Sequence, residues 1–122
     1  MKRRIAASVA IALLASPLGA GAMDLGMYNQ YKDNPNTDLV TDLYLHGMGH
    51  GFLWANVQLE RSGRAKIFCM PDHLPMSVGL VESILDSEIS RQSRVVPYGA
   101  DMANEPIELY ALWGFMRTFP CN

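Results

Sequence analysis

Three side chains that can bind metal ions occur at four-residue intervals: Asp42, His46 and His50. Histidines four residues apart share one side of a helix and can chelate one ion. Asp42 and His50, however, are about 12 Å apart along a helix axis, so a straight helix cannot bring all three to one ion. A complete site would need His73 or another carboxylate from elsewhere. We therefore expect a polar seam, in which Asp42 hydrogen-bonds His46, and no metal or other cofactor.

Residue types that hydrolases use are present, but the patterns that activate them are not. The sequence has no HExxH, no GxSxG and no glycine-rich phosphate loop. Glu82 and Asp86 could pair as acid and base, but they fall on the solvent side of a predicted amphipathic helix. We therefore predict no catalytic residues and no enzymatic activity.

The first 22 residues have the three parts of an export signal. Lys2, Arg3 and Arg4 form a basic start, residues 5–14 are almost wholly apolar, and Ala20-Gly21-Ala22 matches the small-x-small cleavage pattern. The apolar run is shorter than the ~20 residues that span a bilayer. We therefore expect a signal peptide over 1–22, cleaved after about Ala22, a mature domain over 23–122, and no stable membrane anchor.

Cleavage would make the protein more acidic. The whole chain has 10 basic and 12 acidic side chains, and losing the three basic residues of the signal leaves 7 basic against 12 acidic. Nucleic-acid binding needs a basic surface, so we predict no nucleic-acid partner. The acidity either favours a basic protein partner or only keeps the domain soluble.

Cys69 and Cys121 are the two cysteines of the chain. Two thiols alone cannot complete a tetrahedral structural zinc site, and the CxxC spacing of redox enzymes is absent. In the oxidising compartment that export implies, we expect one disulfide between them. Closing this loop of 52 residues would stabilise the domain by roughly 4 kcal/mol in the chain-entropy model.

The patterns of the mature region predict an all-α domain, small and with one disulfide. We place helices over 37–60, over 77–91 and from a cap at Asn104 to Pro120, with an extended segment over 66–71 and a loop over 91–103. Ile67 and Phe68 in the extended segment are both predicted to point inward.

The first predicted helix is apolar on most sides, and such a helix must be covered on most sides. Either it lies at the centre of the domain, or another chain covers part of it and the protein is a homodimer. Gly47, Gly51 and Ala55 follow one another at four-residue intervals on this helix. Since glycine within a helix costs ~1 kcal/mol relative to alanine, we predict close packing of another helix on this track.

The loop over 91–103 is the candidate partner-binding segment. Arg91, Arg94 and Tyr98 are residue types that anchor interfaces, and Pro97 limits the entropy lost on ordering. Two alternatives remain open: the loop is a plain connector, or the connector over 61–66 makes the contact.

Three stretches of the sequence are distinctive. They are the run from Tyr44 to Gly51 with Ala55-Asn56, the segment Phe68-Cys69-Met70-Pro71-Asp72 and the ending Phe119-Pro120-Cys121. Their order resembles the Rap/Tai family of immunity proteins of bacterial type VI secretion, over about residues 39–121. Members are small, exported, mainly helical and disulfide-bearing, and several are dimers. The resemblance implies a periplasmic protein that binds and blocks a cell-wall amidase toxin, but no motif marks the contact residues.

From these observations we expect a periplasmic immunity protein. It would inhibit a peptidoglycan amidase toxin by binding to it and occluding its active site. The alternative is a periplasmic chaperone or stress-binding protein, whose apolar surface becomes exposed when protonation separates a dimer.

Overall fold

A computed structural model describes residues 21–95 and 101–122. Within them the chain forms four helices: α1 over Leu25–Tyr31, α2 over Asp38–Arg61, α3 over Val78–Val95 and α4 over Ile107–Thr118. These two ranges contain no strand, only an isolated antiparallel bridge between Asp24 and Pro106. The predicted all-α fold is confirmed. Residues 1–20, most of the predicted signal peptide, lie outside the described residues.

The bounds of α2 agree with the first predicted helix to within one residue. The helix begins after Thr37 and ends before Ser62, and Gly63 follows with φ 68°. This left-handed conformation costs glycine little, so Gly63 lets the chain leave the helix end in a new direction.

The second and third predicted helices have shifted bounds. α3 continues to Val95, because residues 92–95 contain neither proline nor glycine to stop it. Arg91 and Arg94 therefore belong to a helix, and the prediction of a loop from residue 91 is wrong. α4 begins at Ile107 after an extended Pro106, while the predicted cap Asn104 donates its side-chain N–H to Asp101 instead.

The helix α1 was not predicted. Asp24 caps it, since its Oδ1 accepts a hydrogen bond from the Met27 backbone N–H at 2.7 Å. The residues beside the cap pair with the start of α4: Ile107 N donates to Met23 O and Leu25 N donates to Glu105 O, each at 3.0 Å. Residues 23–25 are therefore fixed to a segment at least 80 residues later in the chain.

The core lies between α2, α3 and α4, with α1 packed on α2. Its buried apolar members are Met23, Leu25, Tyr28, Leu45, Phe68, Met76, Val81, Ile84, Leu85, Ile107, Tyr110, Ala111 and Phe115. The segment over 66–71 is irregular, and it inserts Phe68 but not Ile67, which is 39% exposed. The Asn56 side chain satisfies backbone polar groups of this segment. Its Oδ1 accepts a hydrogen bond from Ile67 N, and its Nδ2 donates one to Phe68 O.

The predicted disulfide is confirmed. Cys69 and Cys121 are bonded, with their Cα atoms 5.0 Å apart. A backbone hydrogen bond from Cys69 N to Phe119 O lies next to the bond. The chain after α2 and the chain after α4 are thus joined at one point.

Glycines allow close helix packing, but at positions that were not predicted. A Cβ on Gly49 would lie 2.7 Å from Val81 Cγ2, and one on Gly114 would lie 2.6 Å from Ile84 Cγ2. Gly47 and Gly51 lie on the opposite side of α2. Apart from their chain neighbours and the backbone of α2 itself, no described residue comes within 4 Å of a Cβ built on either glycine. Ala55 is also exposed. The predicted packing of another helix on this track is therefore wrong for the described part of this chain.

Candidate partner-binding surfaces

The outer side of α2 is an exposed apolar strip, which we name the α2 stripe. It consists of Leu39, Val40, Leu43, Gly47, Gly51 and Trp54. Leu39, Leu43 and Trp54 are 65%, 63% and 62% exposed, which is unusual for large apolar side chains that share one helix face. The inner side of the same helix carries Leu45 and Gly49. The apolar excess of α2 is therefore only partly used by the core.

A groove of about 570 Å³ runs along one edge of the α2 stripe. It is lined by Leu43, Tyr44, Gly47, Met48, Gly51, Phe52 and Glu108. Glu108 belongs to the first turn of α4, where the helix dipole favours a carboxylate. It is the one charged side chain among these apolar ones.

The Tyr44 hydroxyl connects the walls of this groove. It donates a hydrogen bond to Glu108 Oε1 and accepts one from the Met23 backbone N–H, 2.9 Å away. Burial raises the pKa of Tyr44, and its hydrogen bond to Glu108 raises it further, because ionisation would set a phenolate beside a carboxylate. Tyr44 is therefore neutral at physiological pH.

A second polar cluster surrounds Glu88, whose side chain is only 2% exposed. Arg91 donates to both carboxylate oxygens, Gln92 donates to Oε1 at 2.8 Å and Arg117 donates to Oε2 at 3.1 Å. The Arg91 hydrogen bonds, assisted by those from Gln92 and Arg117, outweigh burial and lower the pKa of Glu88 to about 2. The Arg91 side chain, predicted as a partner contact, is thus engaged within the fold.

Beside this cluster lies an exposed surface that we name the α3–α4 face. It consists of Gln92, Trp113, Met116 and Arg117, which line a shallow groove of about 360 Å³. Arg94 is exposed in the last turn of α3 and lies on another side of that helix, in a groove that it shares with Asp86, Ser87 and Ser90. Val95 follows it and is also exposed. The third predicted contact residue, Tyr98, lies outside the described residues.

The histidines do not form the predicted seam. His46 and His50 stack with ring centroids 4.4 Å apart, and Asp42 makes no hydrogen bond to His46. In the described ranges no three His, Cys, Asp or Glu side chains lie close enough to hold a metal ion.

Asp86 is partly exposed, with 40% of its side chain accessible to solvent, and it also has a structural role. It accepts a hydrogen bond from Tyr28 Oη at 3.0 Å and forms an ion pair with Lys32 at 3.1 Å. Burial, followed by the neighbouring Asp86, raises the pKa of Tyr28. These contacts hold α1 against α3.

Comparison of the chain with protein-family models, with curated proteins and with solved structures finds no match. No helix in the described part of the chain has the length and apolar character needed to cross a membrane.

Proposed function

We propose that this protein is a periplasmic immunity protein, which binds a peptidoglycan amidase toxin of type VI secretion and blocks its active site. The observation that carries the proposal is the α3–α4 face, where Trp113 and Arg117 are exposed and line a groove. Trp and Arg are enriched among the energetic anchors of protein interfaces. The export signal and the resemblance to the Rap/Tai family support the same role.

A binding inhibitor gains affinity when its contact surface is ordered before it binds. Arg117 is held by Glu88, and the end of α4 is tied through Cys121 to Cys69. Both restraints act on the helix that carries Trp113. Ordering the α3–α4 face on association would therefore cost little free energy.

Inhibition by occlusion needs no chemistry from the inhibitor. The end of α3 offers a positive charge at Arg94 and apolar area at Val95, and Tyr98 follows in the sequence. Such a combination can fill an enzyme cleft and exclude its substrate. Here Tyr98 is included on sequence grounds alone.

The test is binding by a variant that changes the α3–α4 face at Trp113 and the end of α3 at Arg94. The toxin would first be isolated by pull-down from envelope extract as a single stoichiometric hydrolase partner. Arg94→Glu with Trp113→Ala should then weaken binding at least about 30-fold by calorimetry, the effect of losing ~2 kcal/mol at interface anchors. Because Trp113 is only 38% exposed and packs edge-on against Tyr110, affinities are compared at a temperature where a thermal melt shows the variant to be folded.

The matched control is Arg64→Glu, which reverses the charge of an exposed arginine in the rival connector over 61–66. It should leave toxin affinity unchanged. Unchanged affinity of the Arg94 and Trp113 double variant, with weakened binding by the control, would move the interface to the connector. Absence of any hydrolase among the captured proteins would contradict the immunity role.

A chaperone or stress-binding role is the second candidate, and the α2 stripe is the observation that favours it. Exposed Leu39, Leu43 and Trp54 could bind apolar segments of unfolded proteins. A chaperone role predicts many protein partners that bind only at low pH. The immunity role instead predicts one protein partner that binds at neutral pH. The same pull-down repeated at both pH values separates the two.

We also propose that a second copy of the chain covers the α2 stripe in a homodimer. Along α2 the side chains of the stripe are large, small, small and large in turn, at Leu43, Gly47, Gly51 and Trp54. In an antiparallel pair the glycines meet at the centre and each Trp54 lies level with Leu43 of the other copy, as a two-fold interface requires. Sedimentation should show a dimer that Gly47→Leu disrupts and that Gly79→Leu, at another open helical glycine, does not. A monomer at every concentration would contradict this arrangement.

A further inference from the structure

The predicted first residue of the mature protein, Met23, lies in a small pocket beside Tyr44 and Glu108. Met23 is 4% exposed, and its backbone N–H donates to Tyr44 Oη at 2.9 Å. Its carbonyl accepts from Ile107 N at 3.0 Å, so the residue is held immediately beside Glu108. Ala22, directly before it, is exposed. The chain therefore enters the fold from solvent at the predicted cleavage point.

Glu108 is incompletely paired in this pocket. Its Oε1 accepts from the Tyr44 hydroxyl, whereas its Oε2 is buried and accepts a hydrogen bond from no described residue. A buried carboxylate oxygen without a donor is costly, and a buried charge is normally paired with an opposite one. Among the groove-lining residues there is no cationic side chain to supply that pairing. The Met23 nitrogen is separated from this carboxylate by two hydrogen bonds through one hydroxyl.

Signal cleavage changes the chemistry of that nitrogen. In the precursor it is a neutral amide with one N–H. Hydrolysis of the Ala22–Met23 bond adds one water and leaves a carboxylate on Ala22 and an α-ammonium on Met23. An α-amino group is largely protonated at neutral pH, so a positive charge and three N–H donors appear where the amide donor was.

We propose that Tyr44 and Glu108 form a receptor for the processed N-terminus, in which the Met23 α-ammonium pairs with the Glu108 carboxylate. One N–H keeps the bond to Tyr44 Oη, and the others face the unpaired Oε2. Processing thereby completes the hydrogen bonding of the pocket and adds an ion pair between the chain start and α4. The inference depends on cleavage after Ala22 and is independent of the immunity role.

The experiment compares two forms of the periplasmic domain at pH 7. One begins at Met23, and the other keeps Ala22, which moves the ammonium one residue into solvent. Mass spectrometry verifies each first residue. The form that begins at Met23 should melt about 5 °C higher, the shift expected from a roughly tenfold change in the folding equilibrium. Native processing at a position other than the Ala22–Met23 bond would overturn the proposal.

Glu108→Gln, introduced into both forms, is the decisive variant. It keeps the side-chain shape and a hydrogen-bond acceptor but removes the charge, so the difference between the two forms should fall to about 1 °C or less. Glu105→Gln, at an exposed glutamate three residues earlier, is the control and should leave the difference intact. An equal difference with Glu108→Gln, or no difference in the wild type, would refute the ion pair.

A second measurement compares only the two wild-type forms, so it does not depend on whether the Glu108 and Glu105 variants fold. The α-amine of the form that begins at Met23 should react with an amine-acylating reagent at least about tenfold more slowly than that of the form that begins at Ala22, because burial shields it from the reagent and pairing with Glu108 holds it as an ammonium. Comparable rates in the two folded proteins would show an open N-terminus and overturn the proposal.

Discussion

Glu88→Gln removes a buried negative charge while keeping the shape of the side chain. The pKa of Glu88 is about 2 in the folded protein, against 4.5 for a free glutamate side chain. Because the folded pKa is the lower one, the carboxylate stabilises the fold above pH 4.5, and this contribution is lost as the pH falls towards 2. The difference between the two values corresponds to about 3 kcal/mol of unfolding free energy at pH 7.

The partners of Glu88 keep the expected loss close to this figure. The side chains of Arg91 and Arg117 are 32% and 56% exposed, so both guanidinium groups can turn to water when the carboxylate is gone. Neither would become a buried charge without a partner, which is the case that makes broken ion pairs most costly.

Urea unfolding between pH 7 and pH 2 measures the effect. The wild type should exceed Glu88→Gln by about 3 kcal/mol at pH 7, and the two curves should converge below pH 4.5. Glu82→Gln on the same helix controls for the general loss of acidic charge and should show no such convergence. A wild-type advantage that stays constant down to pH 2 would refute the assignment of the stabilisation to the ionised carboxylate.

Three further predictions concern packing and the covalent tie. Gly114→Ala should lower the unfolding free energy by about 1–3 kcal/mol through overpacking. Gly47→Ala, at an open helix position, should instead raise the unfolding free energy of the monomer by up to ~1 kcal/mol. Equal effects of the two substitutions in denaturant titrations would contradict the assigned helix faces. Cys69→Ala should cost roughly 4 kcal/mol, and alkylation with mass spectrometry should find no free thiol in the exported wild type. Tyr28→Phe should cost about 1 kcal/mol through the lost bond to Asp86, and a thermal melt unchanged by this substitution would show that bond to be unimportant.

The positions of α2 and α3 were predictable from local information. Turn residues, Asn34-Pro35-Asn36 and Ser62-Gly63, flank α2, and α3 has the apolar spacing of an amphipathic helix. Helix faces were harder to assign. Three glycines alternate at 47, 49 and 51, and the four-residue interval drew attention to Gly47 and Gly51, while Gly49 between them faces Val81. Which glycine meets a neighbour depends on where α3 packs, and that position is set by the whole core.

Some of the polar contacts could be predicted from local residue spacing, and others could not. Glu88 follows Val81 by seven residues and therefore shares the buried face of α3, with Arg91 and Gln92 one turn further on, so spacing alone could have revealed this cluster. Its bond to Arg117 links two helices and has no local sequence signal. The same holds for Tyr44 and Glu108, which are 64 residues apart. α1 escaped notice because seven residues carry too little periodicity, although Asp24 has the side chain of a helix cap.

The position of the disulfide has a consequence for newly synthesised molecules. Cys121 follows α4, so all four helices have been synthesised before the bond to Cys69 can close. Helices form in about a microsecond, whereas disulfides take seconds or longer. Each new molecule therefore passes an interval in which its helices can form but the disulfide is still absent. A chain in this reduced state lacks the stabilisation of the closed loop, so it opens more often and is more readily degraded than the oxidised domain. The rate of oxidation should therefore influence how much of the protein accumulates.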